Sequence, residues 1–321
     1  MQKGASMTVT IADILEAEGR IRPHVRRTPV MAVDPADFGL SFGGRLSLKF
    51  ECFQHTGSFK PRGAFNTLIS DPANRPAVAV SGGNHGAAVA YAAAKLGREA
   101  TIFVPEFAPK RKVDKIRSYG LDLQITGMEI ADTMAAYRAY LAETGALDIH
   151  PYDAPGTVAG QGTVGLEWRE QVREQGGDMD AVLVAIGGGG LISGVGVAMQ
   201  GGPAVIGVEP KGAACAFEAR KAGEPVQATP TSYAKDSLGA PALGPLTFEL
   251  IEAHVEDLVT VEDDAIRAAQ AALWRVCGVA AEPGGATALA ALLSGAVTPE
   301  PGAHIGVLVC GANFDPATLS G

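Results

Sequence analysis

Short apolar runs alternate with alanine-rich helical stretches along much of the chain, and this alternation limits the fold more than any other feature. Residues 77–81, 100–104 and 122–125 read as strands, with helices expected over about 86–96, 109–119 and 129–143. Consecutive parallel strands need a crossover helix, so a βαβαβ order implies a parallel sheet with right-handed connections. The pattern resumes with strands at 181–186 and 204–209 and helices from 191 and over 212–222. It closes with helices at 262–276 and 284–293 and a strand at 304–309. Two stretches rich in proline and glycine interrupt it. Residues 150–162 (HPYDAPGTVAGQG) read as a hinge or crossover, and 223–245 as irregular chain. The fold class is therefore α/β, and 321 residues suggest about two domains.

Charge excludes several functions. The chain carries 26 Lys and Arg against 35 Asp and Glu, a formal net charge of −9. A nucleic-acid binder needs a basic surface to neutralise phosphates, and a peripheral membrane protein needs a basic patch, so neither partner is expected. No apolar run reaches the ~18 residues of a membrane-spanning helix. The start of the chain contains acids and does not read as a signal peptide, with Met7 an alternative start to Met1. Cys52, Cys215, Cys277 and Cys310 are far apart, form no CxxC pair and read as reduced thiols of a cytoplasmic protein. The six histidines lack zinc-site spacing, no metal is expected, and there is no GxSxG turn.

Four loops carry chemistry. In KFECFQHTGSFKPRG (49–63), Lys60 precedes Pro61, a residue suited to the first turn of a helix. A lysine beside the positive end of a helix dipole has a lowered pKa and more of the neutral, nucleophilic amine. A lone lysine is ordinarily a solvated surface group, but Thr56, Gly57, Ser58 and Phe59 make this position less ordinary. SGGNHG (81–86) stands at the carboxyl end of a strand, where open α/β sheets bind ligands, and Asn84 and His85 can hydrogen-bond one. Gly187–Gly190 separate a strand from a helix. Four glycines suit a cup of backbone N–H groups for a phosphate, although they match neither GxGxxG nor the P-loop. VCGAN (309–313) closes another strand, with Cys310 either a buried thiol or the neighbour of a ligand ring nitrogen.

In order, KFECFQHTGSFKPRGAFN, SGGNHG, AGQGT, GGGGLISG, GVEP, EPGGA and CGAN resemble the fold type II pyridoxal-phosphate enzymes, and among them the serine/threonine dehydratases (threonine ammonia-lyases) and serine racemases. The resemblance runs from about residue 11 to 316. It implies two open, mostly parallel twisted sheets with flanking helices, as in the tryptophan synthase β-like fold. It also implies a larger cofactor-binding domain of 1–74 plus 153–321, a smaller mobile domain of 75–152, and a homodimer. The implied cofactor is pyridoxal 5′-phosphate, joined as an imine to Lys60. Phe59 is then expected against the pyridine ring, Asn84 at the ring 3′-oxygen, and Gly187, Gly188, Gly189, Gly190 and Leu191 at the phosphate. Cys310 is expected at the pyridine nitrogen and Glu282 near the ring. Ser58, Ser81, Gly83 and His85 are expected around the substrate carboxylate, with Lys60 and Ser81 as catalytic residues.

The implied activity is β-elimination of an amino-acid substrate, foremost L-threonine or L-serine, to a 2-oxo acid and ammonia. A neutral Cys310 partners the pyridine nitrogen weakly, which suits elimination over transamination. Three departures bear on this. Gly82 stands where serine racemases have a second proton-transfer serine, which favours a dehydratase over a racemase. Cys215 replaces an aspartate in the cation site that Glu209 and Ala213 otherwise match, and hard cations prefer oxygen. Ser237 follows Asp236 where many relatives have glycine, so a bulkier or acidic substrate such as phenylserine or hydroxyaspartate stays open. A serine racemase, a β-replacement synthase of the cysteine-synthase kind and a non-catalytic pyridoxal-phosphate-binding protein are the remaining alternatives. The chain ends at Gly321, soon after the CGAN loop, so feedback regulation by an added domain is not expected.

Overall fold

The computed structural model describes residues 8–314; Met1, Met7 and Gly321 lie outside them. Among the described residues, ten strands form two sheets. β1 (Val30–Val33), β2 (Arg45–Phe50), β7 (Ala181–Ala185), β8 (Ala204–Pro210), β9 (Asp257–Val261) and β10 (His304–Val309) make a six-stranded sheet in the order β1-β2-β10-β7-β8-β9. Within it only β1–β2 is antiparallel. β3 (Ala77–Val80), β4 (Ala100–Val104), β5 (Asp122–Ile125) and β6 (Leu147–Asp148) make a parallel four-stranded sheet in the order β5-β4-β3-β6. Strands such as β7 (AVLVA) and β4 (ATIFV) read as continuous apolar runs because helices cover both faces of a parallel sheet. All strands of the smaller sheet come from 77–148, in one uninterrupted stretch of chain.

The expected strands at 77–81, 100–104, 122–125, 181–186, 204–209 and 304–309 all form, within one residue at either end. The stretch 150–162, read as a hinge or crossover, is not irregular throughout. Only 150–154 is irregular, and Pro155 opens a 20-residue helix, Pro155–Glu174, from its first turn. Its glycines do not break it, because they let neighbouring helices approach. A Cβ on Gly160 would stand 2.6 Å from Arg62 O, and one on Gly165 would stand 2.7 Å from Ala198 Cβ. Tertiary packing thus outweighs the cost of glycine in a helix. The stretch 223–245 is less irregular than expected, since it contains the helical turn Lys235–Leu238. It is followed by the unanticipated helix Pro245–His254 and β9.

Candidate active site

The carboxyl ends of β3, β7 and β10, together with the loop leaving β2, open on one cleft between the sheets. The cleft has a volume of about 460 Å³ and is lined by residues of all four sequence motifs, Phe59, Lys60, Ser81–His85, Gly187–Leu191 and Cys310 among them, and by Glu282. Convergence of strand ends on a crevice is the placement expected of a ligand site in an open α/β sheet.

Lys60 is the residue before helix Pro61–Ile69. Its Nζ donates to Pro151 O at 2.7 Å and lies 5.0 Å from the centre of the Phe59 ring. Its pKa is pushed down to about 8, chiefly by burial, against the opposing pull of Cys310 and Glu282. The lowering expected from the helix dipole therefore has desolvation as its main source. Such an amine has a far larger neutral fraction near physiological pH than an ordinary lysine, which suits attack on a carbonyl.

The glycine run fits an anion. Gly189 has φ +87, and a Cβ there would stand 3.0 Å from each of Ile251, Leu243 and Thr247, so the turn requires glycine. The helix Gly190–Ala198 follows, and Ser193 N–H to Gly189 O is its first bond, which leaves the N–H groups ahead of it at the positive end of the helix. Tyr152 packs across Gly188 and Gly190 and donates to Ala242 O. Ser58, two residues before the lysine, is fully buried and does not line the cleft, and its Oγ has no partner among the described residues.

SGGNHG sits differently from a plain turn. Its helix begins at Asn84, two residues earlier than the alanine run suggests. Ser81 Oγ accepts the Gly83 N–H at 3.1 Å. Asn84 Nδ2 donates to Glu282 Oε1 at 2.6 Å, and its Oδ1 accepts from Asn313 Nδ2 at 2.8 Å. Burial raises the pKa of Glu282, which the Asn84 bond opposes. His85 is buried, and burial together with the Lys60 charge pushes its pKa down to about 3, so the ring is neutral and its Nε2 donates to Ile149 O. Cys310 is a buried thiol whose Sγ donates to Gly284 O at 3.4 Å, with its pKa raised by burial.

Among residues that sequence reasoning passed over, Tyr152 and Asn313 join this site through packing and a polar bridge. Glu209 is engaged elsewhere. Its carboxylate accepts N–H from Ala216 (2.9 Å) and Phe217 (2.7 Å), capping helix Cys215–Ala222, and burial pushes its pKa up to about 7. Ser237 Oγ accepts the Gly284 N–H at 3.2 Å on the cleft wall.

Comparison with known proteins agrees with this geometry. A family model described as pyridoxal-phosphate dependent enzyme matches residues 21–311. The chain is 38% identical over 319 residues to a serine racemase of Oryza sativa subsp. indica, covering 96% of this chain and 92% of that protein. It is 38% identical over 324 residues to a phenylserine dehydratase of Ralstonia pickettii, covering 98% and 97%. The crystal structure of a threonine deaminase from T.th. superposes with a TM-score of 0.89 at 37% identity, covering 95% of this chain and 99% of that one. With its two mainly parallel sheets, its strand-end cleft and this family match, the chain belongs to the pyridoxal-phosphate dependent enzymes of fold type II.

Proposed function

We propose that the chain is a lyase that removes the hydroxyl group and then the amine from a β-hydroxy amino acid, releasing a 2-oxo acid and ammonia. The observation that carries this is a lysine with its pKa near 8 on the floor of a cleft that also holds a glycine cup. Pyridoxal phosphate, when bound, supplies the electron sink that makes the substrate Cα proton removable. Lys60 would hold the cofactor through its buried amine and, as a free base beside the substrate Cα, would take that proton. Gly187–Leu191 would hold the phosphate and Phe59 would support the ring, with Asn84, Glu282 and Cys310 lining the same cleft as its polar partners. Ser81, Gly83 and His85 receive the substrate carboxylate, with Ser81 beside the reacting centre. The segment 75–152 acts as a smaller unit closing on 1–74 plus 153–321. The enzyme works as a cytoplasmic homodimer, to be checked by light scattering and cell fractionation.

Gly82 has no side chain and offers no second base, and a Cβ there would be crowded by Ala108 Cβ at 3.0 Å and Val104 Cγ1 at 3.2 Å, so elimination is expected to outrun racemisation. A bulky apolar β-substituent is favoured by the cleft wall, where Phe107 and Ile130 are 59% and 65% exposed and await a cover. Ammonia release from L-serine, L-threonine, 3-phenylserine and 3-hydroxyaspartate tests both points. Phenylserine is expected to give the highest kcat/KM, and no release from any of the four would overturn the proposal.

Gly189→Ala is expected to weaken cofactor binding about tenfold. A left-handed alanine costs roughly 1–2 kcal/mol, which the cup must absorb to keep its shape. Fluorescence titration of the apoprotein measures this, and an unchanged affinity would place the phosphate elsewhere.

A further inference from the structure

The polar chain that joins the two sheets beside the cleft has a direction. Lys115 Nζ donates to Asn313 Oδ1 (2.5 Å) and to Thr56 O (2.8 Å). Asn313 Nδ2 donates to the same Thr56 carbonyl (2.7 Å) and to Asn84 Oδ1 (2.8 Å). Asn84 Nδ2 donates in turn to Glu282 Oε1 (2.6 Å). Lys115 and Asn84 lie on helices of the smaller sheet, whereas Thr56, Glu282 and Asn313 lie in loops of the larger one.

An ammonium only donates, and a carbonyl only accepts. Placed together beside Asn313, they leave its amide a single orientation, because a flipped amide would turn N–H toward the ammonium and C=O toward the carbonyl. Asn313 therefore meets Asn84 with a donor, and Asn84 must answer with its oxygen. That leaves the Asn84 nitrogen, with two hydrogens, on the side of the cleft, where Glu282 takes one. The backbone is shaped around this clamp. Thr56 sits at φ +62, an uncommon conformation for a β-branched residue, and Gly57 follows at φ +77. A Cβ on Gly57 would stand 2.8 Å from Asn313 Oδ1.

We propose that Asn313 is a positioning residue for the cofactor. Held by Lys115 and the Thr56 carbonyl, it fixes the Asn84 amide so that Asn84 offers N–H, and not C=O, to the cofactor's ring oxygen. This deepens the functional proposal above and rests on its placement of that oxygen at Asn84.

The test uses full-length, cofactor-loaded protein and reads the absorbance of the bound cofactor at fixed pH. A ring oxygen that loses an N–H donor holds its own proton more tightly, so the visible band loses intensity to the near-ultraviolet band. Asn313→Asp keeps the contact to Lys115 but has nothing to donate to Asn84; its carboxylate draws the Asn84 N–H away from the cleft, and the reversed Asn84 oxygen meets Glu282 as that buried carboxyl, its pKa already raised, takes up a proton. The near-ultraviolet to visible ratio is expected to rise about threefold to tenfold, the range of one hydrogen bond of ordinary net strength. Lys115→Met leaves the Thr56 carbonyl in place and should give a smaller rise, while Lys115→Arg keeps the donor and should match the wild type. A merely structural role would lower the melting temperature without moving the ratio. An unchanged ratio in Asn313→Asp overturns the proposal, as does an unchanged ratio in Lys115→Met should the aspartate variant fail to fold. Borohydride reduction and peptide mapping accompany each sample. Label at Lys60 with an unchanged ratio removes the relay and leaves the site standing, whereas label away from Lys60 removes the site assignment itself.

Discussion

Replacing Lys60 by alanine is expected to lower turnover of β-hydroxy amino acids by on the order of 10³-fold or more, because its proposed role makes it both the positioned base and the covalent seat of the cofactor. The same change should not unfold the protein. The Lys60 ammonium is held by one carbonyl, Pro151 O, and burial already disfavours its charge, so its removal relieves a cost. The pH dependence makes the test sharper. The folded pKa of about 8 lies below the ordinary lysine value of 10.5, so between these values the unfolded chain binds a proton that the folded apoprotein does not. Stability contributed by this group therefore rises with pH across that window, and Lys60→Ala should abolish the rise. In the wild-type apoprotein the rate of cofactor attachment should increase with pH through about 8, because only the neutral amine attacks. An alanine variant with wild-type turnover, or an attachment rate flat across that range, would remove Lys60 from the reaction.

Much of the cleft was legible in the sequence because each of its loops ends an apolar strand. The runs at 77–81, 181–186 and 304–309 mark parallel strands, and SGGNHG, GGGG and CGAN follow them directly. The parts that stayed hidden depend on contacts distant along the chain. The helix Pro155–Glu174 carries glycines that look like breakers until Arg62, Gly63 and Ala198 are seen against them. The opposing directions of Asn84 and Asn313 depend on a pairing across 229 residues, which no local pattern records. β2 escaped notice for a related reason. Its sequence RLSLKF alternates polar with apolar residues, as a half-exposed strand does, yet Ser47 and Lys49 are buried. Lys49 can be buried because Gln171, Glu167 and the Thr28 carbonyl receive its ammonium, and none of these is near it in sequence.

The same buried group supports the second large prediction, that Arg62→Met destabilises the fold by about 3–5 kcal/mol, the usual result of stripping one partner from a buried ion pair. Arg62 grips Glu51 with two parallel bonds, Nε to Oε2 at 2.9 Å and Nη2 to Oε1 at 2.8 Å, and reaches Glu167 Oε2 at 3.0 Å. Glu51 follows β2, and Arg62 lies in the first turn of the helix that Lys60 precedes, so the pair closes the loop that delivers the lysine. Burial pushes the Glu51 carboxyl up, but the Arg62 guanidinium, with Lys49 and the Thr28 hydroxyl, outweighs it and holds the pKa below the ordinary value. A depressed carboxyl contributes stability above its unfolded pKa and loses it as pH falls through the folded one. Without Arg62 that balance tips toward burial, so the contribution changes sign and acidification toward the ordinary glutamate range should strengthen the variant. Denaturant midpoints measured across that range would show it. The double variant Glu51→Met, Arg62→Met should regain most of the loss, because two methionines pack where an unpaired carboxylate cannot. A single variant as stable as the wild type, or a double variant no better than the single, would mean that this ion pair does not hold the loop.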